Sequence, residues 1–98
     1  MAKYTLKKLA EIDFEKIWHY TTKKWGIAQA IKYTNELEKT FAILAANPLM
    51  CRERFEFEPP VRIHHHGSHL IIYLMTEDQH IIIARVLHES MDIDAQLQ

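Results

Sequence analysis

Two arginines and a histidine in the second half of the chain are the side chains best suited to chemistry. Arg62 and Arg85 lie in strand-like segments, and His88 follows Arg85 by three positions. Two guanidinium groups and an imidazole can stabilise a phosphate and move a proton, the minimum needed to cleave RNA through its 2′-hydroxyl. The competing interpretation is structural, with Arg85 paired to Glu89, Asp92 or another carboxylate and attaching the tail to the sheet. Spacing alone favours the structural interpretation.

A run of histidines from His64 to His66, with His69 close behind, resembles a set of metal ligands. On a strand, His64 and His66 share one face while His65 points to the other. A third ligand would have to come from another element, and no Asp or Glu is placed by spacing to serve. The single cysteine, Cys51, excludes an internal disulfide and a cysteine-based zinc site. We therefore expect polar residues at a hairpin turn, with no metal and no cofactor.

The composition is that of one small domain, which we expect to span residues 1–98. About half of the residues, 48%, are apolar, and 12 basic side chains face 13 acidic ones, for a net charge of −1. The charge is uneven: the first 49 residues hold eight lysines against five carboxylates, and the last 49 hold four arginines against eight carboxylates. A chain without a basic excess is poorly suited to tight binding along a phosphate backbone, so direct nucleic-acid binding is disfavoured.

No stretch of the chain resembles a targeting or membrane segment. The first residues lack the apolar core of a secretion signal. The longest apolar runs, 41–46 and 70–75, are far shorter than the ~20 residues of a membrane-spanning helix. We expect a cytoplasmic protein.

Periodicity and turn residues predict the order β-α-α-β-β-β. The predicted strands are 4–6, 61–65, 70–75 and 80–86, the predicted helices are 8–25 and 27–46, and a short tail with a helical turn follows. Gly26 separates the helices, and Asn47 before Pro48 ends the second one. Two helices joined by almost no loop pack as an antiparallel hairpin. The predicted fold is an α+β domain, with this hairpin on an antiparallel sheet.

Each helix has an apolar stripe that we expect to be buried. The stripe of the first helix is Phe14, Ile17, Trp18, Thr21 and Trp25; that of the second is Ala30, Tyr33, Leu37, Phe41 and Leu44. Core packing is the expected role of the aromatic members, although tryptophan and tyrosine at the edge of a stripe are also typical interface anchors.

Several stretches in combination resemble the ParE toxins of the RelE/ParE superfamily, the toxin halves of bacterial toxin–antitoxin modules. The most specific are Trp25-Gly26-x-x-Gln29-Ala30-x-x-Tyr33 and the closing motif Arg85-Val86-Leu87-His88-x-x-Met91-Asp92. Tyr4-x-Leu6-x-x-x-Ala10 with Asp13, and Ile17-Trp18-x-Tyr20-Thr21, fit the same pattern. The resemblance covers nearly the whole chain and implies the same β-α-α-β-β-β layout.

The resemblance also implies a function, that of the toxin in a type II, plasmid-stabilisation module. Its partner would be a small DNA-binding antitoxin, ParD-like or of another type, whose disordered C-terminal segment folds across the toxin in a hetero-oligomer. Its target would be DNA gyrase, poisoned without catalysis by this chain. The residues expected to contact the target or the partner are Arg62, Arg85, His88, Met91 and Asp92.

The alternative within the superfamily is a RelE-type, ribosome-dependent messenger RNA endoribonuclease, in which Arg62, Arg85 and His88 would carry the chemistry. Such nucleases use a basic groove with a Glu, Tyr or His near the C-terminus. This chain has no aromatic residue or histidine from Glu89 to Gln98, and it has no basic excess. The charge balance therefore favours the gyrase poison.

Overall fold

A computed structural model describes residues 3–97. The elements are β1 (Tyr4–Leu6), α1 (Lys8–Trp25), α2 (Ile27–Ala46), β2 (Glu53–Arg54), β3 (Val61–His66), β4 (His69–Met75), β5 (Ile81–His88) and α3 (Ile93–Leu97). Both long helices have the predicted ends, and the predicted strands are confirmed to within two residues. The two-residue strand β2 is an addition to the prediction.

The two long helices are separated by Gly26 alone. Its φ of 96° lies in the region that favours glycine, and its carbonyl accepts a hydrogen bond from the N–H of Ala30 while its own N–H donates to Thr22. One residue therefore ends α1 and begins α2. Within residues 3–97, no helix combines the length and the apolar content needed to cross a membrane.

The strands form one sheet in the order β1-β5-β4-β3-β2. The pairs from β2 to β5 are antiparallel, whereas β1 runs parallel to β5, with Tyr4 opposite Ile81 and Leu6 opposite Ile83. The α+β class with a helical hairpin on a sheet is confirmed, and the expectation of an antiparallel sheet is corrected at this one pair. Side chains alternate in the same way in both kinds of pair, so the sequence pattern carries no information on strand direction.

The sheet separates two apolar clusters. The larger lies under α1 and α2 and includes the fully buried Leu37, Phe41 and Tyr73. The smaller lies on the opposite face, where Ile72 and Leu87 are covered by Phe57 and by Ile93 and Leu97 of α3. The short α3 thus protects a sheet face that the long helices leave uncovered.

The buried face of α1 differs from the predicted stripe. Ile17 and Thr21 are buried as predicted, but Trp25 is 65% exposed and Trp18 is only partly buried. Ala10 and Asp13, which the predicted stripe omits, are buried. The prediction follows large apolar residues, whereas the face that packs on the sheet includes a carboxylate, Asp13, and the small Ala10 in place of the tryptophans. In α2 the prediction is confirmed, with Tyr33 partly buried and the other four members buried.

Candidate partner-binding groove

Asp13 on α1 completes the free edge of β5. Strand β1 pairs with β5 only as far as Ile83, so the next residues of β5 have a neighbouring strand, β4, on one side only. The carboxylate of Asp13 accepts a hydrogen bond from the backbone N–H of Val86 at 3.0 Å. It also accepts two from Arg85, from Nε at 2.8 Å and from Nη2 at 3.0 Å. A helix side chain thus replaces the missing strand.

Arg85 also holds the tail. Its Nη1 donates to the backbone oxygen of Gln96 in α3 at 3.1 Å. The hydrogen bond and the charge of Asp13 raise the pKa of Arg85 above its ordinary value. Arg85 thus pairs with a carboxylate and attaches the tail to the sheet, as the structural interpretation predicts. The carboxylate is that of Asp13, and neither Glu89 nor Asp92 is the partner. Glu89 instead lies 2.9 Å from His65, and Asp92 accepts the N–H of Asp94 at the start of α3.

Arg62 and Arg85 start from opposite faces of the sheet. Their strands, β3 and β5, are separated by β4, where Arg62 lies opposite Tyr73 and Arg85 opposite Ile72. Neighbouring residues of a strand point to opposite faces. Arg62 donates instead to the backbone oxygen of Cys51. The set of Arg62, Arg85 and His88 suggested by the spacing is therefore not assembled in the structure.

His88 lies opposite His69, and the two rings meet edge to face with centroids 5.6 Å apart. The backbone N–H of Ser90 donates to Nδ1 of His88 at 3.1 Å, so in the neutral ring the proton is on Nε2. The hydroxyl of Tyr33 lies 2.6 Å from Nδ1 of His69. Burial, with the nearby His88 and His66, lowers the pKa of His69 to about 4. His69 is therefore neutral near pH 7.

These histidines form one end of a groove between α1 and the last residues of β5, with a volume of about 390 Å³. The residues that line it are Asp13, Lys16, Ile17, Tyr20, His69, Val86, His88, Ser90 and Met91. Met91 is 46% exposed and Tyr20 is 59% exposed. The groove combines an apolar floor with polar groups at its rim, as peptide-binding grooves do.

The histidine run does not converge on a common point. His64 lies 3.6 Å from the Cys51 sulfur, His65 contacts Glu89, and His66 lies 3.1 Å from the hydroxyl of Thr40. Over the part of the chain that the structure describes, no three His, Cys, Asp or Glu side chains are grouped closely enough to hold a metal ion.

Comparison with known proteins places the chain in a family. The sequence model described as "ParE toxin of type II toxin-antitoxin system, parDE" matches residues 4–93. The chain belongs to the ParE toxin family. The family resemblance inferred from the sequence motifs is thereby confirmed.

Relatives of this ParE-family chain match it over almost its full length. Toxin ParE1 of Mycobacterium tuberculosis is 38% identical over 96 residues, covering 98% of both chains. Toxin ParE1 of Caulobacter vibrioides is 35% identical and covers 99% of both, and Toxin ParE of Escherichia coli is 32% identical. A solved structure, "Chromosomal ParDE TA system from P. aeruginosa", has the same fold, with a TM-score of 0.74 at 17% identity over 90% of this chain and 96% of that one.

The closing motif of this ParE-family chain is divided between two places. His88 and Met91 line the groove, whereas Arg85 does not line it and is hydrogen-bonded to Asp13. Asp92 is exposed beside α3, and Arg62 lies on the far side of β4. The predicted binding residues thus do not form one surface.

The groove also contains residues that the sequence does not indicate as site candidates, among them Asp13, Lys16, Tyr20 and Ser90. Asp13 had one usable signal, since it is a carboxylate at helical spacing from the buried Ala10 and Ile17. Its partner is 72 residues away along the chain, and no local pattern indicates such a contact. Lys16 resembles any other exposed helix residue, and Tyr20 fits the family pattern without any local sign that it lines a groove.

Proposed function

We propose that this ParE-family chain arrests growth by poisoning DNA gyrase in the cytoplasm, and that a cognate antitoxin neutralises it by filling the groove between α1 and the end of β5. The groove is the observation that carries the antitoxin half of the proposal. Family membership supports the toxin role, and the gyrase target is typical of the family.

Binding fits the geometry better than catalysis. Arg62 lies on the far side of β4 and donates to the backbone oxygen of Cys51, and Arg85 is paired with Asp13. Neither is therefore placed to hold a phosphate beside His88. A gyrase poison needs no proton transfer. It must only bind the cleaved-DNA state of the enzyme more tightly than the resealed state, because a ligand shifts an equilibrium by its difference in affinity.

The groove suits a segment that folds as it binds. Ile17, Val86 and Met91 provide apolar contacts, while Lys16 and His88 offer polar groups at the rim. An amphipathic helix or strand of a disordered antitoxin tail would bury its apolar side here and keep its polar side in water.

The test combines cells and purified proteins. Induction of the chain alone should stop growth with filamentation and a DNA-damage response, and co-expression of the small protein encoded next to it should restore growth. Purified chain should inhibit gyrase supercoiling and accumulate cleaved DNA. Rapid translation arrest with cleaved ribosome-bound messages would instead indicate a RelE-type endoribonuclease and refute the gyrase proposal.

Met91→Asp tests the role of the groove. The charge would face the apolar part of the groove, so the variant should still arrest growth but be poorly rescued by the antitoxin. Leu49→Asp is the control, because Leu49 is 67% exposed and lies outside the groove. Equal rescue of both variants would show that the antitoxin binds elsewhere.

A further inference from the structure

We infer that the end of the helical hairpin is a second docking surface, one that takes an acidic, apolar patch of the target protein. We call it the hairpin end and define it as Tyr20, Lys23, Lys24, Trp25, Ile27, Ile31 and Lys32. The inference rests on the proposed function in one respect, namely that the chain acts by binding a target protein.

The hairpin end exposes large apolar side chains that the fold does not use. Trp25 is 65% exposed, Ile27 61%, Tyr20 59% and Ile31 47%. Trp25 and Ile27 flank Gly26, and Ile27 and Ile31 share a face of α2 at i, i+4 spacing. A cluster of this kind on a small protein is typical of an interaction site.

The charged side chains of the hairpin end itself, Lys23, Lys24 and Lys32, have a single sign. Residues 16–35 contain four lysines and no Asp or Glu, although the chain as a whole has more carboxylates than basic side chains. Surface charges of both signs are usually interspersed. A surface that is both apolar and free of carboxylates complements a patch of apolar residues ringed by Asp and Glu.

Two other occupants fit less well. A symmetric contact with a second copy would place this lysine-rich surface against itself, where like charges repel. A nucleic acid would stack its bases on aromatic faces. Here Lys24 Nζ lies 5.5 Å from the ring centroid of Tyr20 and 5.6 Å from that of Trp25, so the chain's own ammonium group is already over both rings. Ile27 and Ile31 offer no stacking surface at all.

Tyr20 connects the hairpin end to the groove, because it belongs to both. An antitoxin segment seated in the groove would therefore cover one side of the surface that the target needs. Neutralisation then follows from competition at Tyr20, without any change in the toxin fold.

The experiment compares variants of the full-length chain by growth arrest, by inhibition of gyrase supercoiling and by affinity for the antitoxin. The variants are Trp25→Ala, Ile27→Ala and the double change Lys23→Glu with Lys24→Glu, all at exposed positions. We expect each to need about tenfold more protein for the same inhibition, the range of an interface hot spot, while antitoxin affinity changes less than about threefold. Ile43→Ala and Lys39→Glu are matched controls, because both positions are exposed on α2 outside the hairpin end.

Each other result overturns the inference in an identifiable way. Variants as toxic as the wild type would show that the hairpin end is not used. Loss of antitoxin affinity in parallel with toxicity would assign the surface to the antitoxin. Binding of the wild type to DNA alone, lost in the double lysine variant, would assign it to nucleic acid, and self-association lost in the same variant would assign it to a second copy.

Failure of the proposed function gives a different result. A wild-type chain that arrests growth without affecting gyrase would refute the choice of gyrase, and the growth-arrest comparison would still decide the role of the hairpin end. A wild-type chain that leaves growth unaffected would overturn both.

Discussion

The Asp13–Arg85 junction and the groove beside it both lie where α1 meets β5, but they differ in how their polar groups are used. At the junction, the Asp13 carboxylate accepts three hydrogen bonds, and the side chains of Asp13 and Arg85 are only 8% and 15% exposed. In the groove, His88 and Met91 face open space. One half of the closing motif therefore supports the fold, and the other half is available to a partner.

The difference shows how to separate structural from binding residues in a family motif. A charged residue whose hydrogen bonds are satisfied inside the protein has little left to offer a partner, since breaking those bonds would cost more than a surface contact returns. A residue with unused hydrogen-bonding capacity or exposed apolar surface has no such cost. By this criterion Arg85 is structural, and Met91 is the better candidate for binding.

The largest effect is expected at the junction. Asp13→Ala would leave the Arg85 guanidinium without its carboxylate and the Val86 N–H without an acceptor, so the free energy of unfolding should fall by about 3–5 kcal/mol, the usual cost of breaking a buried ion pair. Urea unfolding measures it. Glu15→Ala, at an exposed position of the same helix, is the control and should stay within about 0.5 kcal/mol of the wild type. Equal losses for both variants would mean that the junction does not hold the fold.

A smaller effect is expected from protonation of His69, at the boundary between core and groove. Its pKa is about 4 in the folded chain and near 6.5 when unfolded, so between these values the unfolded chain binds a proton that the folded chain does not. The contribution of His69 to the free energy of unfolding is therefore fully present above about pH 6.5 and is lost as the pH falls toward 4. Below pH 4 this group causes no further loss. The total loss is about 1–3 kcal/mol after allowance for solvent.

His69→Gln separates this contribution from those of His64, whose pKa is also lowered by burial, and of the carboxylates. Between pH 6.5 and 4.5 the stability of the variant should depend less on pH than that of the wild type, measured by urea midpoints. The same slope in both proteins would place the acid sensitivity elsewhere.

The sequence predicts the elements far better than it predicts the contacts between them. Gly26 and Pro48 interrupt the chain by local backbone geometry, so the helix ends follow from nearby residues. The parallel pairing of β1 with β5 and the contact of Asp13 with Arg85 join residues more than 70 positions apart, and nothing local encodes them. Trp25 is exposed where the sequence predicts burial for a related reason, because its exposure depends on which face of α1 the sheet covers.

A substitution at Met91, in the groove, should weaken binding of the antitoxin without affecting the stability of the fold. Met91→Ala removes a half-exposed apolar contact from the groove, so antitoxin affinity should weaken about tenfold, while stability changes by less than about 0.5 kcal/mol. Calorimetric titration with the antitoxin and urea unfolding measure the two quantities. Leu49→Ala is the control for an exposed apolar side chain outside the groove. A Met91→Ala chain that unfolds more easily but binds normally would reverse the assignment.

The smallest effect is expected at His88, where a substitution distinguishes a chain that acts by binding from one that acts as a nuclease. Glutamine keeps hydrogen-bonding capacity but cannot act as a general acid or base. Loss of a general acid or base typically lowers the rate of a catalysed reaction 10²–10⁴-fold. The measurement is inhibition of gyrase supercoiling at matched protein concentration, with cleavage of ribosome-bound messages followed in parallel. If the chain acts by binding, wild type and His88→Gln should inhibit supercoiling alike. Message cleavage by the wild type that disappears in His88→Gln, with supercoiling unaffected by either protein, would contradict it.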